Sequence, residues 1–285
     1  MEYVRNSTYD EERAFYGKEN ICAVGCRFDG PRDGESAFKE CRSIVARECY
    51  FNLRYPFWHD CGVVIEDSVM TEGCRAALWY STDIKIVGCE LNGVKALREC
   101  SGVYISDSAI KSQEFGWMSR GVSIEDCRSE GEYFMFRGRD MKLRRVEFKG
   151  KYSFQYVENA ELEGCSLDTK DALWHAKNVT VRNCTVKGEY LGWYCENVTF
   201  ENCLIIGTQP LCYCKGLRLI NCRMRDADLS FEKSEVFAEL DEPIISIKNP
   251  SSGKISVPSV GDLIVDDPDS RCEIIAGSES LINAN

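Results

Sequence analysis

A segment of nineteen residues recurs along almost the whole chain, and a fixed period of that length points to a solenoid. The ends of successive units make it visible: Asn159-Ala-Glu-Leu-Glu-Gly-Cys165, Asn178-Val-Thr-Val-Arg-Asn-Cys184, Asn197-Val-Thr-Phe-Glu-Asn-Cys203 and Gly216-Leu-Arg-Leu-Ile-Asn-Cys222. The frame runs upstream through Val146, Cys127, Ser108, Cys89, Ser68 and Cys49 to Cys26. Downstream it passes through Asp241 and Val260 in weaker form.

Relative to the Cys position, the residues three and five earlier are large and apolar, as in Ile84/Ile86, Val103/Ile105 and Val179/Val181, with polar residues between. That alternation is a strand with one buried face. A second apolar column lies two residues after the Cys (Phe28, Phe51, Ile110, Leu167, Val186), and a third eleven before it (Phe38, Phe57, Leu78, Leu97, Phe154, Leu173). Three short strands and three corners per turn predict an all-β, single-stranded parallel β-helix of about 13 coils, since no stretch carries a helical period. Gly93, Gly131, Gly150, Gly188 and Gly207 punctuate the coils, where positive φ is expected.

Charge supports the register. Glu125, Arg144, Glu163, Arg182 and Glu201 alternate in sign two residues before the Cys, and Glu158, Lys177, Glu196 and Lys215 alternate seven before it. Opposite charges one coil apart attract across about 4.8 Å. Asn159, Asn178 and Asn197 form one corner column and Asn183, Asn202 and Asn221 another, consistent with left-handed corners and amide stacking. The reading is one domain over 1–285: an N-terminal segment (1–13), regular coils (14–242), then divergent last coils and a cap (243–285).

The formal net charge of −11 disfavours a nucleic-acid partner. No apolar run reaches membrane-span length and no secretory h-region opens the chain, so the expectation is cytoplasmic. In that setting the 17 cysteines are reduced, metal-bound or buried. Eight of them share a column with Ser68, Ser108 and Val146, and Cys41, Cys100, Cys195 and Cys214 occupy a second small-residue column, which reads as packing. Cys195, Cys212 and Cys214 are the local thiol cluster that merits a metal assay; otherwise no metal and no cofactor is called for.

The chain resembles a bacterial family, domain of unknown function 3737, through Gly34-Glu-Ser-Ala-Phe38, Arg54-Tyr-Pro-Phe-Trp-His59, Ala172-Leu-Trp-His175 and Ser246-Ile-Lys-Asn-Pro250. The resemblance implies a right-handed parallel β-helix similar to the pectin-lyase-like superfamily, and no assigned activity. The Asn-Thr-Asp, Asp-Asp and Gly-His-Gly set of polygalacturonases has no counterpart in the coils. Asp266-Asp267 lies in the tail.

All five tryptophans, Trp58, Trp79, Trp117, Trp174 and Trp193, fall ten residues before the Cys position. The next column holds His59, Tyr80, Met118, Tyr156, His175, Tyr194 and Tyr213. An exposed strip of this kind suits the flat faces of sugars, or a protein partner; the alternative is that it packs under the tail or inside the coil. The candidate ligand-binding residues are therefore Trp58, Trp79, Tyr80, Trp117, Trp174, His175, Trp193 and Tyr194. His59, with Arg98 and Glu99 close by, is the candidate catalytic centre of any carbohydrate-active hydrolase or lyase chemistry. Asp67, Asp107 and Asp126 share a corner column and read as turn chemistry rather than a glycosidase pair. Two functions follow: a β-helix that binds an extended ligand, such as a glycan, or a non-enzymatic scaffold that self-associates or holds a protein through the same strip.

Overall fold

The computed structural model describes residues 1–282, which contain strands, turns and no helix. Residues 283–285 of the expected cap lie outside the described residues. The chain divides into two compact units, Met1–Lys142 and Leu143–Asn285. Each unit is built of right-handed parallel β-helix coils, about 14 in all.

In the first unit the long wall comprises Glu19–Val24, Arg42–Arg47, Cys61–Glu66, Thr82–Val87, Ser101–Ser106 and Arg120–Glu125. These strands pair in parallel at the expected register, with Ile84 opposite Val63 on one side and Val103 on the other. The inward residues are fully buried, and the corner phenylalanines stack inside: Phe28 on Phe51 (4.9 Å between centroids) and Phe38 on Phe57 (5.3 Å). The N-terminal segment is itself a coil, because Glu2–Arg5 pairs with Ile21–Val24 and Thr8–Tyr9 with Arg27–Phe28.

In the second unit the long wall runs through Glu158–Glu163, Lys177–Arg182, Glu196–Glu201 and Leu217–Arg225. Arg182 reaches Glu201 at 2.9 Å and Lys177 reaches Glu196 at 3.1 Å, so part of the predicted charge ladder is made. Both Asn ladders are also made. Asn178 Nδ2 donates to Asn159 Oδ1 and Asn197 Nδ2 to Asn178 Oδ1 (3.2 Å each), and Asn221 and Asn202 repeat the pattern at 3.4 Å.

Three expectations change. The third side is a strand only at Phe38–Lys39, Phe57–Trp58, Leu78–Trp79 and Leu97–Arg98. Elsewhere it is a turn with a left-handed residue just before the strip position, such as Met135, Phe154, Leu173 and Leu211, and these side chains stay buried. Second, Gly93, Gly131 and Gly188 do not have positive φ. They are needed for close approach: a Cβ there would collide with the carbonyl oxygens of Cys74, Ser112 and Thr169. The left-handed corners instead fall on Asp67, Asp107, Asp126 and the Asn columns, whose short polar side chains tolerate that region. Third, the frame through Val260 fails. Val236 pairs with Gly253, an offset of 17, and Val260 begins a separate strand pair with Ile244. The stack ends in an antiparallel hairpin, Glu273–Ala276 with Glu279–Ile282, which turns the chain back on its last sheet edge.

Candidate functional site

The strip is built by backbone conformation. His59, Tyr80, Met118, Tyr156, His175, Tyr194 and Tyr213 all have φ between 52° and 62°. A left-handed residue breaks the in–out alternation of a strand. Two consecutive residues, the Trp column and the one after it, can then both face outward. All five tryptophans are half-buried, whereas Tyr80, Met118, Tyr156 and Tyr194 are exposed.

In the first unit Trp58 and Trp79 lie in register and stack at 5.5 Å with planes 10° apart. Lys39 Nζ covers the other side of Trp58 at 4.1 Å. The Arg98 guanidinium lies 5.9 Å from the Trp79 centroid and 5.5 Å from that of Trp117. Trp117 then meets Phe136 at 5.0 Å. Cations thus bracket pairs of rings along the coils, a cation–π arrangement. His59 packs on Tyr80 at 5.1 Å and on Trp58 at 5.8 Å. Arg98 Nε donates to Glu99 Oε1 at 3.0 Å, so this pair engages each other; among the described residues neither hydrogen-bonds the His59 side chain. The three do not form a proton relay.

In the second unit the column is a regular ladder. Tyr156, His175, Tyr194 and Tyr213 stack at 4.8, 5.0 and 4.9 Å with planes within 15°. Trp174 and Trp193 stack beside it at 5.5 Å and 7°. Burial first, then the neighbouring Glu232 carboxylate, raises the Tyr213 phenol above its ordinary value.

The indoles also act as staples. Trp117, Trp174 and Trp193 each donate Nε1–H to a carbonyl sixteen residues on, at Tyr133 (2.9 Å), Tyr190 (2.7 Å) and Gln209 (2.8 Å). Gln155 holds the same column and donates Nε2–H to Asp171 O at 2.8 Å. Each acceptor residue has positive φ. Among the described residues Trp58 and Trp79 find no such partner, and their buried indole N–H groups are unsatisfied. Because stacked rings face one another along the coil direction, their edges rather than their faces point to solvent. Among the described residues the stacked pairs therefore leave no row of free ring faces, the arrangement that stacking on sugar faces would need.

All 17 cysteines are free thiols, buried except for Cys61. They act as hydrogen-bonding hydrophobes: Cys195 Sγ lies 2.9 Å from Leu173 O, Cys214 Sγ 2.9 Å from Gly192 O, and Cys212 Sγ 3.6 Å from Gln209 O. Among the described residues no group of three or more His, Cys, Asp or Glu side chains could hold a metal ion. Burial pushes Cys41 and Cys100 up to about 12, which keeps them as unreactive thiols. Asp67, Asp107 and Asp126 are left-handed corner residues.

The family described as "Protein of unknown function (DUF3737)" matches residues 2–275. The chain belongs to that family. No curated protein matches the sequence. Among solved structures it is similar to the Azotobacter vinelandii mannuronan C-5 epimerase AlgE6 A-module, at 13% identity over 96% of this chain and 88% of that one, with a TM-score of 0.49. It is also similar to the Pseudomonas phage phi297 tailspike gp61, at 10% identity over 86% of this chain and 48% of that one (TM-score 0.39). A third is the tailspike of E. coli bacteriophage HK620 in complex with a pentasaccharide, at 11% identity over 95% and 63% (TM-score 0.33).

Two residues escaped sequence reasoning. Asp60 belongs to the small-residue column of Cys41 and Cys100, and it is 1% exposed. Phe237 projects from the long wall of the second unit, 49% exposed, where Thr180, Thr199 and Arg218 occupy the equivalent place in the coils before it. In both cases the signal was a residue out of keeping with its column.

Proposed function

We propose that the Tyr156–His175–Tyr194–Tyr213 ladder binds an extended ligand laid along the coils, and that the ligand is a glycan. The observation that carries this reading is the ladder's regularity: four near-parallel rings at the coil spacing, none of them buried. Tyr156 and Tyr194 are 41% and 43% exposed. A rigid comb of hydroxyl and imidazole groups matches a polymer that repeats its own hydroxyls at a comparable interval. Water-facing phenol edges combine apolar contact with hydrogen bonding. No catalytic step is assigned, because among the described residues the His59 side chain has no hydrogen-bonded acid or base partner.

The test is a glycan array probed with the whole chain, followed by titration of any hit using the fluorescence of Trp174 and Trp193. Binding should weaken at least tenfold in Tyr194→Ala and in His175→Ala. An array with no hits, or a hit indifferent to both changes, refutes the reading. If sedimentation instead reveals an oligomer that Tyr194→Ala dissociates, the ladder is a self-association surface and the scaffold reading holds.

A further inference from the structure

Phe237 differs from every ring of the strip. Among the described residues, no second ring and no cation covers it. It stands in a shallow groove of about 110 Å³ on the outer face of the long wall in the second unit. The groove forms where the pairing register shifts between Leu219 and Cys222. Bulges of this kind re-aim side chains and often border sites.

The neighbours of Phe237 are set by register. Arg218 lies opposite it in the preceding coil and Lys254 in the following one. Lys254 is held by Glu273 at 3.3 Å. Arg218 is exposed and, among the described residues, has no carboxylate partner. On a chain of net charge −11, an unpaired guanidinium beside a free aromatic face stands out. Ile220 and the Phe237 ring give the groove its apolar side chains, while Leu219 and Ala238, whose side chains are buried, border it through their backbone; Glu239, two residues along the strand from Phe237, and Ser256, paired with it in the following coil, supply polar groups at the far side.

We propose that this groove binds a small aromatic carboxylate bearing a ring hydroxyl. The ring stacks on Phe237, which gains from an offset aromatic pair. The carboxylate meets Arg218, whose planar fork suits two parallel hydrogen bonds. The hydroxyl, on the opposite side of the ring, reaches Glu239 or Ser256. A flat unsaturated ring fits Phe237 and Ile220 better than a saturated sugar, whose hydroxyls would meet those two side chains without partners.

The probe is 4-hydroxybenzoate, followed by ligand-observed NMR and calorimetry on the full chain. Saturable binding is expected, with affinity at least tenfold lower for the neutral 4-hydroxybenzamide and no comparable binding of glucuronate. Arg218→Thr and Phe237→Thr should each lower affinity at least tenfold; threonine already occupies this column at Thr180 and Thr199, so the coil accepts it. Tyr194→Ala should leave binding unchanged, which separates this site from the ladder. Absence of saturable binding, equal binding of the amide, preference for glucuronate, or indifference to both groove variants would each overturn the assignment. The amide and glucuronate comparisons need only the wild-type chain.

Discussion

Replacing Asp60 by serine should stabilise the protein, and by an amount that grows with pH. Asp60 occupies a column in which small side chains accept the backbone N–H of the preceding coil. Ser81 Oγ accepts from Asp60 N at 3.0 Å and Ser119 Oγ from Cys100 N at 3.2 Å, just as Asp60 Oδ1 accepts from Cys41 N at 2.7 Å. Its second oxygen, Oδ2, is buried and has no partner among the described residues. Burial raises the carboxyl to about 8, opposed by the Cys41 N–H and reinforced by Glu40. The folded chain therefore keeps a proton that the unfolded chain releases from about pH 4 upward. Stability falls with rising pH across that interval, at about 1.4 kcal/mol per pH unit, reaching roughly 4 kcal/mol at pH 7 and levelling off above pH 8. A serine keeps the Cys41 hydrogen bond and has no such titration. Urea unfolding of wild type and Asp60→Ser between pH 5.5 and 8 should give a gap that widens by about 2 to 3 kcal/mol. A gap constant with pH would mean that Asp60 ionises normally in the folded chain, and the burial argument would be wrong.

Gly188→Ala should destabilise by about 2 kcal/mol or more, because the new methyl collides with backbone at Thr169 rather than with a yielding side chain; thermal melting measures it, and a shift within error would contradict the close-approach account. Asn178→Ala removes a residue suited to its φ of 53° and breaks two rungs of the amide ladder, at a cost of about 1 to 3 kcal/mol. The same substitution to glycine restores the backbone freedom but not the rungs, so it should recover only part of the loss in the same melt.

Much of this fold was legible because burial acts on every coil alike. The columns of Ile84/Ile86 and Val103/Ile105 repeat since each must fill the same interior, and the Asn columns repeat since each corner needs the same unusual backbone. The rest depended on choices that one coil makes without the others. Whether Leu78 or Leu173 precedes the strip as extended chain or as a left-handed turn changes one φ and leaves the apolar residue in place, so the pattern is silent. Gly93 and Gly131 look like turn glycines, but the constraint on them comes from a carbonyl in the preceding coil. The tryptophan column drew attention as a surface, yet the Gln155 exception held the clue to its structural part. An amide can replace an indole where both serve to donate an N–H to the next corner.

The paired indoles have a spectroscopic consequence. Trp58 with Trp79, and Trp174 with Trp193, are near-parallel chromophores at 5.5 Å whose transition dipoles couple strongly. Near-ultraviolet dichroism from each pair depends steeply on how far apart adjacent turns of chain lie. Loosening of one unit, by heat or by an occupant on its surface, would register optically while the strands themselves remain intact.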